Sequence, residues 1–426
     1  MKGPLPTLNV PLSRSCFELK RGELEFLADY SRTRLDPAAA RKWTYADLVA
    51  FKLSCREAIH RRPRGFLGET RLHLEPEAIG GFGFDYTYQR IDLAVKGEAT
   101  FERLYPLART SFRRQRGALL GSCQAGLTNL FKAIEDVYGK LPVLLWNMAY
   151  YETYGYFAGF HWPLARDERR PFILYVDSST WTREKEGFFR RGSLGNARLV
   201  VLDSTCFGHG DPLFDKILRR LKQLDVPIVL LRSSMKLDSL AMEFGRFGSA
   251  VFLAPRSAAK SEELAEGFQK NARFFGSLAS SRQIYPFYGE TRFLELSRAW
   301  ARRLKKANHA VADALGGPGA RLELRRFEHG LYFWLMLERG APSLAAATKL
   351  IALGLYLDKI PILPVASYPW DFVSITSFSR TMTYYEGQGA RDVIRVSCPD
   401  FDDEMIARTR SSLARILNNE IWGRRA

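Results

Sequence analysis

The sequence predicts an α/β protein: a central, mostly parallel sheet with helices on both faces, an N-terminal arm, and a smaller α+β C-terminal domain. Three observations lead there. Between residues 86 and 285 short apolar runs alternate with amphipathic stretches, and runs apolar on both faces, joined through helices, indicate buried parallel strands. Residues 1–85 hold a helical pattern among Pro- and Arg-containing loops, and residues 286–426 replace the alternation with long helices and paired strands. A chain of 426 residues with 46% hydrophobic content is long enough for more than one core.

In chain order, residues 45–59 carry apolar positions at helical spacing behind Thr44, which stands in N-cap position. The run Ile79-Gly-Gly-Phe-Gly-Phe84 marks a break. Strands are expected at 141–146, 172–176, 199–202, 228–231 and 250–253, with an amphipathic helix over 211–224. Beyond residue 285, one long helix covers 290–315 and stops at Gly316-Gly-Pro-Gly. Two antiparallel strands (321–326 and 330–338), a helix over 343–355, a Pro-rich turn, two more strands and a closing helix over 402–418 complete the chain.

Composition narrows the function. No apolar run approaches the roughly 20 residues of a membrane span, and the opening Met1-Lys-Gly-Pro-Leu-Pro lacks a signal-type hydrophobic core. The expectation is a soluble cytoplasmic protein with no membrane partner. The five cysteines (Cys16, Cys55, Cys123, Cys206 and Cys398) show no paired short spacing, which argues against disulfides and structural zinc. The six histidines are dispersed too, so no metal is expected. A net charge of +17 raises nucleic-acid binding. The basic residues, however, alternate with acidic ones, as at Glu102 and Arg103, and clusters such as Arg302-Arg-Leu-Lys-Lys306 suit a solvated helix face. The expectation is therefore no nucleic-acid partner, and a surface that draws an anionic cofactor or substrate.

Chemistry concentrates at strand ends. In Arg198-Leu-Val-Val-Leu-Asp203 a carboxylate closes a buried run. It suits capping of the following turn or holding a proton on a heteroaromatic cofactor nitrogen. About one strand–helix unit later, Pro227-Ile-Val-Leu-Leu-Arg-Ser-Ser-Met-Lys236 sets an ammonium among hydroxyls at the end of another run. Partial burial there favours an amine that loses its proton and attacks an aldehyde, with a solvated surface lysine as the plain alternative. Ser233 and Ser234 offer hydroxyls to a phosphate in the same turn. Upstream, Gly121-Ser122-Cys123-Gln124-Ala-Gly opens a helix whose unpaired N–H groups suit an anion. The cluster Tyr150-Tyr-Glu152-Thr-Tyr154-Gly-Tyr156 supplies rings on which a planar cofactor stacks, or which simply fill a core.

Together and in order, these pieces resemble the Cys/Met-metabolism family of pyridoxal-phosphate (PLP) enzymes of fold type I, which includes cystathionine γ-synthase, the cystathionine lyases and methionine γ-lyase. Tyr86-Thr-Tyr88-Gln-Arg90 resembles Tyr-x-Tyr-Ser-Arg, and Ser122-Cys123-Gln124-Ala-Gly resembles Ser-Gly-Met-Ala-Ala. Tyr150-Tyr-Glu152-Thr-Tyr resembles Tyr-Gly-Gly-Thr-Tyr, Val201-Leu-Asp203-Ser-Thr205 resembles Val-Asp-Asn-Thr, and Ser233-Ser-Met-Lys236 resembles Ser-x-Thr-Lys. Ala366-Ser367-Tyr and Ile394-Arg395-Val-Ser397 resemble the Glu-Ser-Leu and Arg-Leu-Ser of the last strands.

The resemblance implies PLP joined to Lys236, with Asp203 and Thr205 at the ring, Tyr150 stacked over it, and Ser122, Cys123, Gln124 and Ser233 around the phosphate. Tyr88 and Arg90 would reach the phosphate of a neighbouring subunit, so a homodimer or homotetramer with a shared active site is implied. Arg395 would grip the carboxylate of an amino-acid substrate, near Ser367 and Glu152, with Lys236 and Tyr150 moving protons. The implied activity is β- or γ-elimination by a PLP-dependent lyase, with γ-replacement or transamination as alternatives.

This chain departs from the pattern at Ile91-Asp-Leu93, where Asn-Pro-Thr is usual, at Met235, where a hydroxyl is usual, at Glu152, and at Asp177-Ser-Ser-Thr-Trp181 in place of Glu-x-Pro-Thr-Asn. A full helix separates Asp203 from Lys236, nearer the aminotransferase layout. Such a chain suits a divergent member in specialised metabolism, including one that eliminates halide to leave a terminal-alkyne amino acid.

Overall fold

Ser13 starts the first long helix: its hydroxyl accepts from the Cys16 N–H at 3.0 Å, and α1 (Arg14–Ser31) runs until Arg32 turns left-handed at φ 53°. The fold comes from a computed structural model, which describes residues 6–61, 78–79, 82–86, 93–96, 101, 104–105, 112–145, 151–183, 186–187, 194–254, 260–279, 283–316, 323–337, 343–365, 367–378 and 392–418. A short α2 (Pro37–Ala40) precedes α3 (Tyr45–Arg61). As the sequence leads one to expect, Thr44 caps α3: its hydroxyl accepts from the Asp47 N–H at 3.2 Å, and Asp47 accepts from the Thr44 N–H at 2.8 Å.

The chain divides into two compact units, one of Met1–Ile59, Leu240–Met242 and Ala299–Ala426, the other of His60–Ser239 and Glu243–Arg298. Within the second, β1 (Ala78–Ile79), β2 (Phe82–Tyr86) and β3 (Leu93–Lys96) form a small antiparallel sheet. The main sheet of that unit is built from β4 (Arg113–Leu120), β5 (Val143–Leu145), β6 (Phe172–Asp177), β7 (Ala197–Asp203), β8 (Ile228–Ser233) and β9 (Gly248–Ala254). Its spatial order is β4-β9-β8-β7-β6-β5. The run from β5 to β8 is parallel throughout. Among the described strands β9 runs against both of its neighbours, β8 and β4, because no α-helix follows β8 to build a crossover.

Helices α4 (Cys123–Tyr138), α5 (Tyr151–Gly159), α6 (Pro212–Lys222) and α7 (Lys260–Phe274) lie among these strands in sequence. Leu130, Phe131 and Ile134 of α4 and Leu264 and Phe268 of α7 share a core with Val201, Val229, Leu231 and Phe252. Every residue of β6 and β9 is buried, as strands covered on both faces must be.

The other unit carries a second sheet. After α8 (Thr291–Leu315), β10 (Glu323–Arg326), β11 (Phe333–Met336), β12 (Ile362–Pro364), β13 (Val373–Phe378) and β14 (Val393–Ser397) assemble in the order β10-β11-β14-β13-β12, with α9 (Leu344–Leu357) and α10 (Asp403–Ile416) in the same unit. Buried charges tie α1 and α3 to it. The Lys20 ammonium donates to Asp371 at 2.6 Å and Asp400 at 2.5 Å, while Lys52 pairs with Asp371 at 2.7 Å and with Glu23. Burial works against the Lys20 charge, but Asp371 and Asp400 outweigh it and hold its pKa above the usual lysine value. Among the described residues no helix is long and apolar enough to cross a membrane.

Candidate active site

Parallel strands deliver their last residues to one edge of the sheet, and that edge is where an open α/β sheet receives its ligand. Asp177 ends β6, Asp203 ends β7 and Ser233 ends β8. The chain leaving β4 turns at Gly121 and starts α4 at the same edge.

The register of β6 and β7 makes Asp177 and Asp203 direct partners. Each carboxylate accepts from the turn that follows it, Asp177 from the Ser179 N–H at 2.7 Å and Asp203 from the Thr205 N–H at 2.9 Å. Asp177 is 2% exposed. Asp203 keeps some exposure at the strand end but is enclosed by protein on most sides. That enclosure, and then the charge of Asp177, push its carboxyl up to about 7. The first helical residue of α4, Cys123, faces the same pair: burial, then Asp203 and Asp177, raise its thiol well above the usual range.

Thr205 joins the sequence-predicted residues to one another. Its backbone N–H serves Asp203, and its hydroxyl accepts from the Ser233 N–H at 2.9 Å. Three residues on, Lys236 lies in the turn after β8, half-buried with its side chain 16% exposed, and its Nζ donates to Glu243 at 3.3 Å. Ser239 bonds the Lys236 carbonyl and accepts from the Glu243 N–H, which fixes the turn. Ser234 does not offer its hydroxyl to this edge. It is fully buried in the turn that follows β8 and donates to Tyr288 at 3.1 Å.

The start of α4 is held against the sheet by a glycine. A Cβ on Gly248 would lie 2.7 Å from the Arg232 carbonyl oxygen and 3.0 Å from the Cys123 nitrogen, both backbone atoms. Ser122 caps the helix by accepting from the Ala125 N–H at 3.0 Å. Gln124 reaches sideways, donating to Glu152 at 2.7 Å on the first turn of α5, so these two predicted residues meet each other on an exposed surface. Gly248→Ala is expected to cost about 1–3 kcal/mol of stability by overpacking and to weaken retention of phosphate-bearing ligands. Urea unfolding and inorganic-phosphate binding check both effects; an unchanged variant would remove the helix start from the site.

A buried charge cluster braces the two loops that carry Asp203 and Lys236. Arg232 forks onto Asp238 with two bonds of 2.7 Å, and its remaining nitrogen donates to the carbonyls of Ser204 at 2.8 Å and Phe207 at 2.7 Å. His209 adds a bond of 2.8 Å to Asp238. Burial, then Arg232, hold His209 below its usual pKa, so the ring is neutral and donates through Nε2. Against its own burial, Asp238 is kept well below the usual carboxylate range by Arg232 and His209. None of these three, nor Glu243, stood out in the sequence. The available signal was an arginine inside the apolar run of β8, six residues before an aspartate and bracketing Lys236 with it.

Arg395 and Ser367 belong to the other unit. Arg395 on β14 is 4% exposed, and its guanidinium sits 4.3 Å from the Tyr368 ring centroid, 5.3 Å from Phe378 and 5.5 Å from Tyr332. Ser367, half-buried, precedes Tyr368. Tyr88, Arg90 and Tyr150 fall outside the described residues.

PLP calls for a carboxylate that welcomes a cationic ring nitrogen, N–H groups for a phosphate, and an amine for the aldehyde. A carboxyl pair enclosed by protein, a capped helix start packed against the sheet through a glycine, and a half-buried lysine in the turn after β8 fit those requirements.

No family model and no curated protein matches the chain. Solved structures do. Cystathionine gamma synthase from Xanthomonas oryzae pv. oryzae, in complex with cystathionine, superposes with a TM-score of 0.52 at 15% identity, over 86% of this chain and 98% of that one. The same enzyme in complex with aminoacrylate and cysteine gives 0.47 at 13% identity, over 83% and 96%. At such identity the first likeness speaks for the fold, and together with a six-stranded sheet whose single antiparallel strand is β9, it identifies the fold of this chain as PLP fold type I.

Proposed function

We propose that the chain is a PLP-dependent enzyme that acts on an amino acid by β- or γ-elimination. The observation that carries this reading is the meeting of Asp203, Thr205 and Ser233 at the carboxyl edge of a fold type I sheet, with Lys236 in the next turn. When bound, PLP supplies an electron sink for charge that develops at the substrate α-carbon.

The chain's own residues do the rest. Lys236 Nζ would hold the cofactor through its aldehyde and would remove the substrate α-proton and, for a γ-leaving group, a β-proton as well, with Glu243 as the acceptor beside it at 3.3 Å. Asp203 keeps a proton on the ring nitrogen. The N–H groups at the start of α4, with Ser122 and Ser233, bind the phosphate. Arg395 would take the substrate α-carboxylate, a job suited to a planar guanidinium. Tyr150 serves as general acid toward the leaving group, and Tyr88 and Arg90 complete the phosphate site of a neighbouring subunit.

A screen of amino acids bearing β- or γ-leaving groups, a chlorinated allylglycine among them, tests the reaction. Ammonia with a keto acid, or a terminal alkyne from the halide, is the expected product. A pyridoxamine form that needs an α-keto acid acceptor would instead make the chain an aminotransferase, the reading favoured by α6 standing between Asp203 and Lys236. Asp203→Asn is expected to lower turnover on the order of 10²–10⁴-fold, the range of a positioned proton, with secondary structure unchanged. Turnover within a factor of about three would mean that another group holds the ring proton.

A further inference from the structure

We propose that Asp177 is a positioning residue for the cofactor ring: as the direct partner of Asp203 on the neighbouring strand, it sets a second carboxyl beside the one that opposes a cationic ring. This deepens the PLP reading above and rests on it. Direct partners on adjacent parallel strands are about 4.8 Å apart along the sheet, and both side chains lie at the same strand ends, each turned to its own following N–H. Two ionised carboxylates on such neighbouring residues, enclosed by protein, repel each other.

The groups that face Asp203 do not relieve this. Cys123 at the start of α4 and Tyr175 on β6 have their own ionisation pushed up, by burial first and then by the same carboxylates, so both are neutral. Arg232 on β8 draws the Asp203 pKa down, but both its terminal nitrogens and its Nε are engaged by Asp238 and by the Ser204 and Phe207 carbonyls. Thr205 contributes dipoles only. The result is an acid that titrates at about 7 in the unliganded protein.

The direction of the pH effect follows. Above that pH Asp203 is ionised and ready for a cationic ring; below it, a proton must leave before the ring is paired, so cofactor affinity falls as pH falls. Asp177→Asn removes one of the two causes that raise Asp203 and moves the onset down. For a displacement of about one unit, the ratio of PLP affinities at pH 8 and pH 6 shrinks about five-fold relative to wild type. Ionisations of PLP itself are common to both proteins and cancel in that comparison.

Two measurements separate this inference from the reading beneath it. Infrared titration of cofactor-free protein is expected to show a carboxylic-acid C=O band with a midpoint near pH 7, absent in Asp203→Asn, at lower pH in Asp177→Asn and restored toward wild type in Asp177→Glu. PLP binding to the same proteins between pH 5.5 and 8.5 gives the affinity ratio. A band that behaves as stated in a protein that binds no PLP would uphold the pair and sink the cofactor assignment. PLP binding with the same pH dependence in wild type and Asp177→Asn, or no band near pH 7 in the wild type, would overturn the role of Asp177.

Discussion

Lys236→Ala is expected to be folded and, when PLP is added, to lack the absorption band of the lysine-bound cofactor, and its turnover falls by about 10⁴-fold or more, as for loss of a covalent catalyst. The fold is expected to survive because the pair this side chain makes with Glu243 is part-exposed. Lys236 is 16% exposed, and Glu243, with which it pairs, is 25% exposed. A part-exposed pair of that kind contributes about 0–1 kcal/mol. The turn itself is held by backbone, through Ser239 to the Lys236 carbonyl. Absorption spectra and circular dichroism of wild type and variant decide the matter. A variant that keeps the band would mean that another lysine carries the cofactor.

The largest loss of stability is expected at Asp238. Removing it strands the Arg232 guanidinium, only 1% exposed, without its two charge-assisted bonds. Breaking one side of a buried ion pair typically costs about 3–5 kcal/mol, because the remaining charge stays uncompensated. The same cluster grips the carbonyls of Ser204 and Phe207, so the loop after Asp203 and the turn at Lys236 loosen together. Asp238→Ala should therefore lower both the urea midpoint and PLP affinity, whereas replacing Arg232 and Asp238 together with Met and Leu recovers stability but not affinity. A single variant within about 1 kcal/mol of wild type would show that the brace carries no strain-bearing role.

What could be read from the sequence has a physical pattern. The runs at 172–176, 199–202 and 228–231 were legible because strands covered on both faces are apolar at every position, and they became the centres of β6, β7 and β8. Asp203 and Lys236 drew attention for the complementary reason, as charges at the end of such runs; Asp203 ends β7 and Lys236 lies in the turn after β8. Strand β4 opens with Arg113-Arg-Gln-Arg and borders the sheet, so it shows no apolar run to detect. Helix α1 was hidden by Lys20 and Glu23, which read as surface residues until Asp371 and Asp400, far along the chain, are seen beside them. The pairing of Asp177 with Asp203 is a matter of strand register, and the brace around Arg232 is a matter of how loops fold back. Neither property is local, and neither leaves a motif. Ser234 shows the converse: its place in a hydroxyl-rich motif suggested a phosphate ligand, but in the turn after β8 it is buried and bonds Tyr288.

The most direct measurement is borohydride reduction of PLP-loaded wild-type protein, followed by proteolysis and mass-spectrometric mapping of the pyridoxyl group. The expected result is a single modified site at Lys236. A modification at any other lysine, or none at all, would contradict the assignment of this sheet edge as the cofactor site.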